Sequence, residues 1–528
     1  MKKNAFTGLS ALLAASMLTA GCTKGDAPQS GSGKPAAIKV EVFDRGTDGG
    51  KSDPANNNWT DWIKKKVLED ENIAVTFVPV NRWDETSAMN NLLAAGTAPD
   101  VCFSYNTDMI NGYGLQGGVY DVAPYVDTLL KDVKALLGPD PQVQGQDLIW
   151  RNKNADNGAL YSISNRYMYT ANQNLFIRKD WLDKLGLPLP GTREEYFNAL
   201  AAFKEQDPGG VGKDRVIPFT LTTDVRWTAG VIINSFIDPY ITPKERWINT
   251  VGDRFIMVPG FKEGIRFLNR MYNAGLVDRD FPLYKADDTM LNLIKSGVAG
   301  SIAGNWDTVY RDNNRLMLDL QQNVPGALFV PVDCFLSADG IPHKLAGALA
   351  GGMSFFIPKT SKNIEAALRY VNWLAKKENC FFLQFGEEGV NHQMADGVPK
   401  PIPATGGWIQ NSGGNIDYTI SVNGWVMDTP ELIAKVLSYS YQWPQEYITE
   451  AYRIASNGAE PGPVVPATLL KWAPLAQTLN DKAAVVYVNG VTAKPGDFDK
   501  VWDDGVRDWL ASGAQEVIDE RREKYKEP

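Results

Sequence analysis

The stretch IKVEVFDRG, Ile38 to Gly46, decides the fold class. Ile38, Val40 and Val42 alternate with polar residues, the two-residue period of a strand with one buried face, and Asp44-Arg45-Gly46 breaks the run. Toward the C-terminus, a helical pattern carries Trp62, Ile63, Val67 and Leu68, and Ile73 to Val80 is a second strand. Leu92, Leu93 and Ala94 lie in a second helix that stops near Gly96, and APDVCFSYN, Ala98 to Asn106, is a third strand. Strands alternating with helices predict a mainly parallel, doubly wound α/β sheet. Ligands of such sheets bind beyond the carboxyl ends of the strands. Asp44 and Arg45 stand there, then Asn81, Arg82 and Trp83, then Ser104 to Asp108.

Toward the N-terminus, MKKNAFTGLSALLAASMLTAGC places Lys2 and Lys3 before an apolar run and then small residues. Residues 1–21 therefore read as a secretory signal peptide, too short for an ordinary membrane span. Leu18 to Cys22, LTAGC, resembles the bacterial lipobox, with its leucine one place earlier than usual. That resemblance implies that Cys22 is lipidated; the alternative is a plain signal peptide with an incidental cysteine. Residues 22–37 then form a lipidated cysteine and a Gly/Ser/Pro-rich tether, which would hold a soluble body at the outer face of a membrane.

With 528 residues the chain exceeds what one core organises, so at least two lobes are expected. A net charge of −9 argues against nucleic acid as a partner. The 15 Trp and 20 Tyr suit carbohydrate recognition, although most must fill cores. His343 and His392 are the only histidines, and no C-x-x-C or H-x-x-x-H spacing exists, so no metal centre is expected. Cys102 and Cys380 read as small core residues rather than nucleophiles.

A second unit begins near Asn174. Thr192 and Glu195 have capping-box spacing, and Tyr196, Leu200 and Phe203 continue that helix face. Phe261, Ile265, Leu268 and Tyr272 mark another helix, stopped at Gly275. Gly297 ends a third, and Val298 to Ala303 follows as a strand running into Asn305-Trp306-Asp307. GGMSFFIP, Gly351 to Pro358, is a strand leading into a helix with Ile364, Leu368, Val371 and Leu374 on one face. The C-terminal part is mostly helical.

Several stretches in this order resemble extracellular solute-binding proteins of ABC importers. The likeness is greatest to the long sugar-binding lipoproteins of Gram-positive bacteria, relatives of maltose- and alginate-binding proteins. They are APDVCFSYNTDMINGYGLQGGVYDVAPYV, FIRKDWLDKLGLPLPGTREEYFNALAAFKEQDP, KSGVAGSIAGNWDTVY, FFIPKTSKNIEAALRYVNWLAKKE and FGEEGVNHQM. The resemblance implies a two-lobed periplasmic-binding-protein-like fold of type II, with a cleft between lobes joined by several hinge crossings. It divides the chain into a first lobe of 38–165 plus about 348–385 and a second of about 166–347 plus 386–528. It also implies that a monomer delivers a sugar, an oligosaccharide by chain length, to ABC permease subunits, with no catalytic residue of its own.

A sugar offers C–H faces to aromatic rings and hydroxyl edges to planar polar groups. Trp306, between Asn305 and Asp307, supplies both and falls where the family places a stacking Trp; core packing is the alternative. Ser104, Tyr105, Asn106 and Asp108 match the family's first-lobe cleft loop, where Ser104 replaces a common Trp. Asp44 and Arg45 are hydroxyl binders or an intraloop pair, and Trp83 lines the cleft or staples a helix start. Trp227, Trp408 and Trp425 lie in Gly-rich or polar loops and complete the candidates, whereas Trp62, Trp181, Trp373, Trp502 and Trp509 sit in helical patterns.

Some relatives carry a calcium loop where this chain has Asp207 to Pro218, DPGGVGKDRVIP. Gly209 and Val211 stand where side-chain oxygens are needed, so the loop is expected to keep its turn and not the metal. Three other readings stay open: a surface-tethered carbohydrate-active enzyme, a binding protein for a non-sugar solute, and a sensor-kinase receptor.

Overall fold

β1 (Ala36–Asp44) buries Ile38, Val40 and Val42, and begins two residues before the alternation does, so Ala36 and Ala37 belong to the sheet rather than the tether. The structure, a computed structural model, describes residues 33–46, 50, 52–140, 146–168, 171–252, 254–284, 287–311, 315–345, 352–460 and 467–525. The expected signal peptide, Cys22 and the expected tether up to residue 32 lie outside the described residues.

α1 (Asn58–Glu71) starts at a capping box between Asn57 and Thr60 and turns Trp59, Ile63 and Val67 inward, one stripe at four-residue spacing. β2 (Ile73–Asn81) pairs with β1 in parallel from Ala36↔Ile73 to Asp44↔Asn81. α2 (Glu85–Ala94) ends before Gly96, whose φ of 67° favours glycine. β3 (Cys102–Ser104) joins β1 through the parallel bridge Val40↔Val101 and leads into α3 (Thr107–Leu115). β4 (Ile163–Ser164) ends this first pass.

β5 (Gln173–Arg178), buried at every position, centres a second sheet. α4 (Arg193–Gln206) begins at the expected box: Thr192 Oγ1 accepts from Glu195 N–H, and Glu195 accepts from Thr192 N–H. α5 (Phe261–Asn273) buries Phe261, Ile265 and Leu268. β6 (Ser301–Asn305) and β7 (Phe329–Val332) flank β5, both antiparallel to it. The chain then re-enters the first sheet as β8 (Ser354–Phe356), antiparallel to β3 and β4. α6 (Ile364–Leu374) follows, with Leu368, Val371 and Leu374 buried. The C-terminal helices include α7 (Pro430–Tyr441), α8 (Gln445–Ser456), α9 (Trp472–Thr492) and α10 (Gln515–Lys524).

Both sheets are mixed, which corrects the mainly parallel expectation. Consecutive strand–helix units give the parallel pairs, including the bridges Ile217↔Ala299 and Phe219↔Val277. β5 and β8 are reached by chain arriving from the other lobe, without a covering helix to reverse it, and they run antiparallel.

The first lobe's core holds Ile38, Phe43, Trp59, Phe103, Ile163, Phe355, Trp373 and Leu383. The second lobe has two cores, one around Trp181, Phe203, Phe261 and Trp502, the other around Phe176, Ile302, Leu437 and Ile448. Core membership changes from one lobe to the other between Ile163 and Ala171, Phe335 and Met353, Leu383 and Phe385, Val398 and Trp408, and Ile420 and Trp425, which marks the crossings. Within 386–528, one stretch returns to the first lobe: Tyr418 and Ile420 are buried in its core. Val422-Asn423 then pairs in parallel with Arg166-Tyr167 of the first crossing. Among the described residues no helix is long and apolar enough to cross a membrane.

Candidate ligand cleft

β1, β2 and β3 run the same way, so their C-terminal ends share one edge of the first sheet. The crossings leave from that edge too: Ser354 lies opposite both Ser104 and Ser164, and its hydroxyl is 2.8 Å from that of Ser164. Here Phe43 meets Phe103 edge-to-face at 4.8 Å and lies parallel to Tyr105 at 6.2 Å. The Arg82 guanidinium sits 4.2 Å over the Tyr105 ring, 5.4 Å over Phe43 and 5.5 Å over Trp83. These rings are the mouths of three strands gathered around one cation.

Arg45 is held differently. Its Nε and terminal nitrogen donate to Asp417 at 2.7 and 2.8 Å, a bidentate pair with a fully buried carboxylate. Burial works against the Arg45 charge, but the Asp417 bonds outweigh it and hold the guanidinium above its ordinary value. Asn411 braces the same carboxylate at 3.0 Å and donates to the Phe43 carbonyl at 2.7 Å. Tyr167, paired in register with Asn423, stands within the fields of Tyr105, Arg82 and Arg45, and burial pushes its phenol up.

Beneath the rim lie two more carboxylates. Glu85 accepts from Tyr105 N–H at 3.0 Å and from the Ser104 hydroxyl at 3.3 Å; Glu41 accepts from Phe103 N–H at 2.8 Å. Burial pushes both carboxyls up, Glu41 well up, with Arg82 pulling Glu85 back.

Several expected ligand residues do other work. Ser104 is fully buried on Glu85. Asn106 caps α3, accepting from Met109 N–H at 2.9 Å. Asp108, half-buried in the first turn of α3, lies in the field of Arg521 on α10; burial pushes its carboxyl up to about 6. That is the seam between α3 and the C-terminal helices, not the rim. Asp44 is exposed and closes its own turn on Gly46 N–H at 3.0 Å.

In the second lobe, Trp306 is 3% exposed, edge-on to Tyr452 at 5.5 Å, inside the core that holds Phe176 and Ile302. It does not present the open stacking face expected of it. Asp307 is equally enclosed, accepting from Arg311 and, at 2.6 Å, from the Tyr441 hydroxyl. Trp425 stacks on Phe385 at 4.7 Å, and Trp408 meets Trp59 at 4.8 Å against the first lobe's core. Asn305 and Trp227 do come together, through Gln173. This residue lies opposite Asn305 in the sheet and donates to the Trp227 carbonyl at 2.9 Å. Gln173 and Asn234 border a small cavity that shares His343 with a larger one of about 190 Å³, lined by Asp238, Arg246 and Glu460 among others.

The open candidates are thus Trp83, Tyr105, Asn305 and Trp227, with Arg45 beside the first two but closed on Asp417. Arg82 was recognised only as a strand-end residue, and Tyr167, Asn411 and Asp417 were missed. A strand end followed by Arg-Trp was the available signal for Arg82. Asp417 lies 372 residues from Arg45, beyond any local pattern.

The Asp207 loop does not fit calcium. Both Asp207 carboxylate oxygens accept backbone N–H groups, of Val211 at 3.0 Å and Gly212 at 2.8 Å. Gly209 has no room for a ligating side chain, since a Cβ there would lie 2.7 Å from Trp181 Cζ2. Cys102, Cys334 and Cys380 are buried free thiols, and burial pushes Cys380 up to about 12, far from a reactive thiolate.

The family described as bacterial extracellular solute-binding protein matches residues 56–379. Lipoprotein LipO of Bacillus subtilis (strain 168) is 24% identical over 98% of this chain and 97% of its own. The polygalacturonan/rhamnogalacturonan-binding protein YtcQ of the same organism is 26% identical over 87% of this chain and 86% of its own. The crystal structure of alginate-binding protein AlgQ2 without calcium ion superposes with a TM-score of 0.67 at 20% identity, covering 93% of this chain and 98% of that one, a likeness of fold.

Proposed function

The chain belongs to the bacterial extracellular solute-binding proteins, and from that premise we propose that it captures an oligosaccharide between its lobes and delivers it to an ABC permease without chemical change. The observation that carries the sugar reading is the first-lobe rim. The exposed Trp83 ring and the half-buried Tyr105 and Tyr167 offer faces for C–H surfaces. Arg82 offers a planar edge for hydroxyls, and Arg45 and Asn411, fixed on Asp417, frame it beside the crossings between the lobes. The names of YtcQ and of AlgQ2, both saccharide binders, support the same class. Asn305 and Trp227, joined through Gln173, are the polar and aromatic groups this reading assigns to the second lobe.

Cys22 carries the lipid, and the Gly/Ser/Pro-rich segment after it keeps a monomeric body at the outer face of the cytoplasmic membrane. The LipO name supports this placement. Mass spectrometry of the membrane-extracted protein should find a diacylated Cys22, and Cys22→Ala should release the protein into the medium. Retention of that variant in the membrane would refute the anchor.

The test of function is calorimetric titration against a panel of neutral and acidic oligosaccharides, with the recovered sugar checked by chromatography. Saturable binding with the sugar returned intact is expected. Cleavage would make the chain an enzyme, and a panel without any binder would remove sugars as its solute.

A further inference from the structure

Arg82 is the cation of the rim that the protein leaves unused. Its side chain makes no hydrogen bond or ion pair with any described residue, and its buried Nε has no partner. The rings of Tyr105, Phe43 and Trp83 hold the guanidinium in place instead. An unbonded buried donor of a charged group is costly, so a resident feature of this kind calls for an acceptor from outside.

The protein's own carboxylates do not serve. Asp417 is spent on Arg45 and Asn411. Glu85 bonds Ser104 and Tyr105, Glu41 bonds Phe103, and burial shifts both toward their neutral forms. Arg45 and Arg82 therefore stand at the rim with one carboxylate, Asp417, bonded to Arg45 and none bonded to Arg82 among the described residues. The guanidinium fork matches a carboxylate through two parallel bonds, which a sugar hydroxyl cannot make. Trp83, 74% exposed and beside that fork, lies where the ring bearing the carboxylate can rest its apolar face.

We propose that the rim binds a uronate, a sugar residue bearing a carboxylate, with Arg82 as the partner of that carboxylate. This rests on the reading that the cleft takes a sugar. Titration calorimetry with galacturonate and mannuronate trimers, their methyl esters and a neutral trisaccharide tests both levels. At least one uronate should bind about tenfold to a hundredfold more tightly than its own ester, the range of a charge-assisted bond. Arg82→Gln should bring acid and ester to one affinity while the protein still melts cooperatively with a small loss of stability, because among the described residues Arg82 has ring contacts but no hydrogen bond or ion pair to lose. Arg82→Lys, with charge but no fork, should keep part of the difference. Equal binding of acid and ester by the parent protein, or discrimination surviving in Arg82→Gln, would overturn the uronate assignment and leave sugar binding standing. Failure of every acidic and neutral sugar would overturn the sugar reading itself.

Discussion

The first-lobe rim and the end of β6 are built from the same materials: a large ring beside charged groups at the mouth of a buried strand. At the rim, Trp83 is 74% exposed and Arg82 has no hydrogen bond or ion pair with any described residue, while Tyr105 lies between them and the core. At the end of β6, Trp306 is 3% exposed against Tyr452, and Asp307 is shared by Arg311 and Tyr441. Position in the sheet is alike; what differs is whether the lobe supplies partners of its own. α8 brings Tyr452 over Trp306 and α7 brings Tyr441 to Asp307, whereas none of the described elements covers Trp83. A strand end is thus left available to a ligand only where the surrounding helices leave its side chains unsatisfied.

Substitutions can break or sharpen this contrast. The largest effect is expected from Trp306→Ala, which empties a core site and should cost about 3–5 kcal/mol in denaturant unfolding, with sugar affinity unchanged. The opposite pattern, intact unfolding with lost affinity, would make Trp306 a platform after all. Asp417→Ala strands the Arg45 guanidinium and should cost about 3 kcal/mol, read in the same way and accompanied by weaker binding. Asn106→Ala removes the α3 cap and should cost about 1 kcal/mol with affinity untouched, which would separate a helix cap from a ligand contact in the same loop. Trp83→Ala should leave unfolding within about 0.5 kcal/mol while sugar binding weakens about twofold to tenfold. The smallest effect is none: calcium titration by calorimetry should give no saturable heat. Stoichiometric uptake would require Asp207 to give up its two backbone bonds.

Local signals in the sequence reach as far as local forces do. The period of Ile38, Val40 and Val42, the Thr192–Glu195 box and the Phe261–Ile265–Leu268 stripe all appear as read, because each is settled within one strand or a few helical turns. Strand direction was not legible for β5 and β8. It depends on the lobe from which the chain arrives, which no nearby residue encodes. For the same reason the strand-end edge was recognised, with Asp44, Arg45, Arg82 and Trp83 on it, but not which of its side chains were free. Trp306 is closed by Tyr452, and Arg45 by Asp417, residues that only the finished fold brings close.

The Arg45–Asp417 pair has a mechanical side. Only Tyr418 to Ser421 separate Asp417 from Val422, where the chain pairs with Arg166-Tyr167 of the first crossing. Tyr418 and Ile420 are packed in the first core, so that short length has little slack. The Arg45–Asp417 pair thus moors the end of β1 to the paired crossing strands through a short, packed run of backbone, like a stay between two spars.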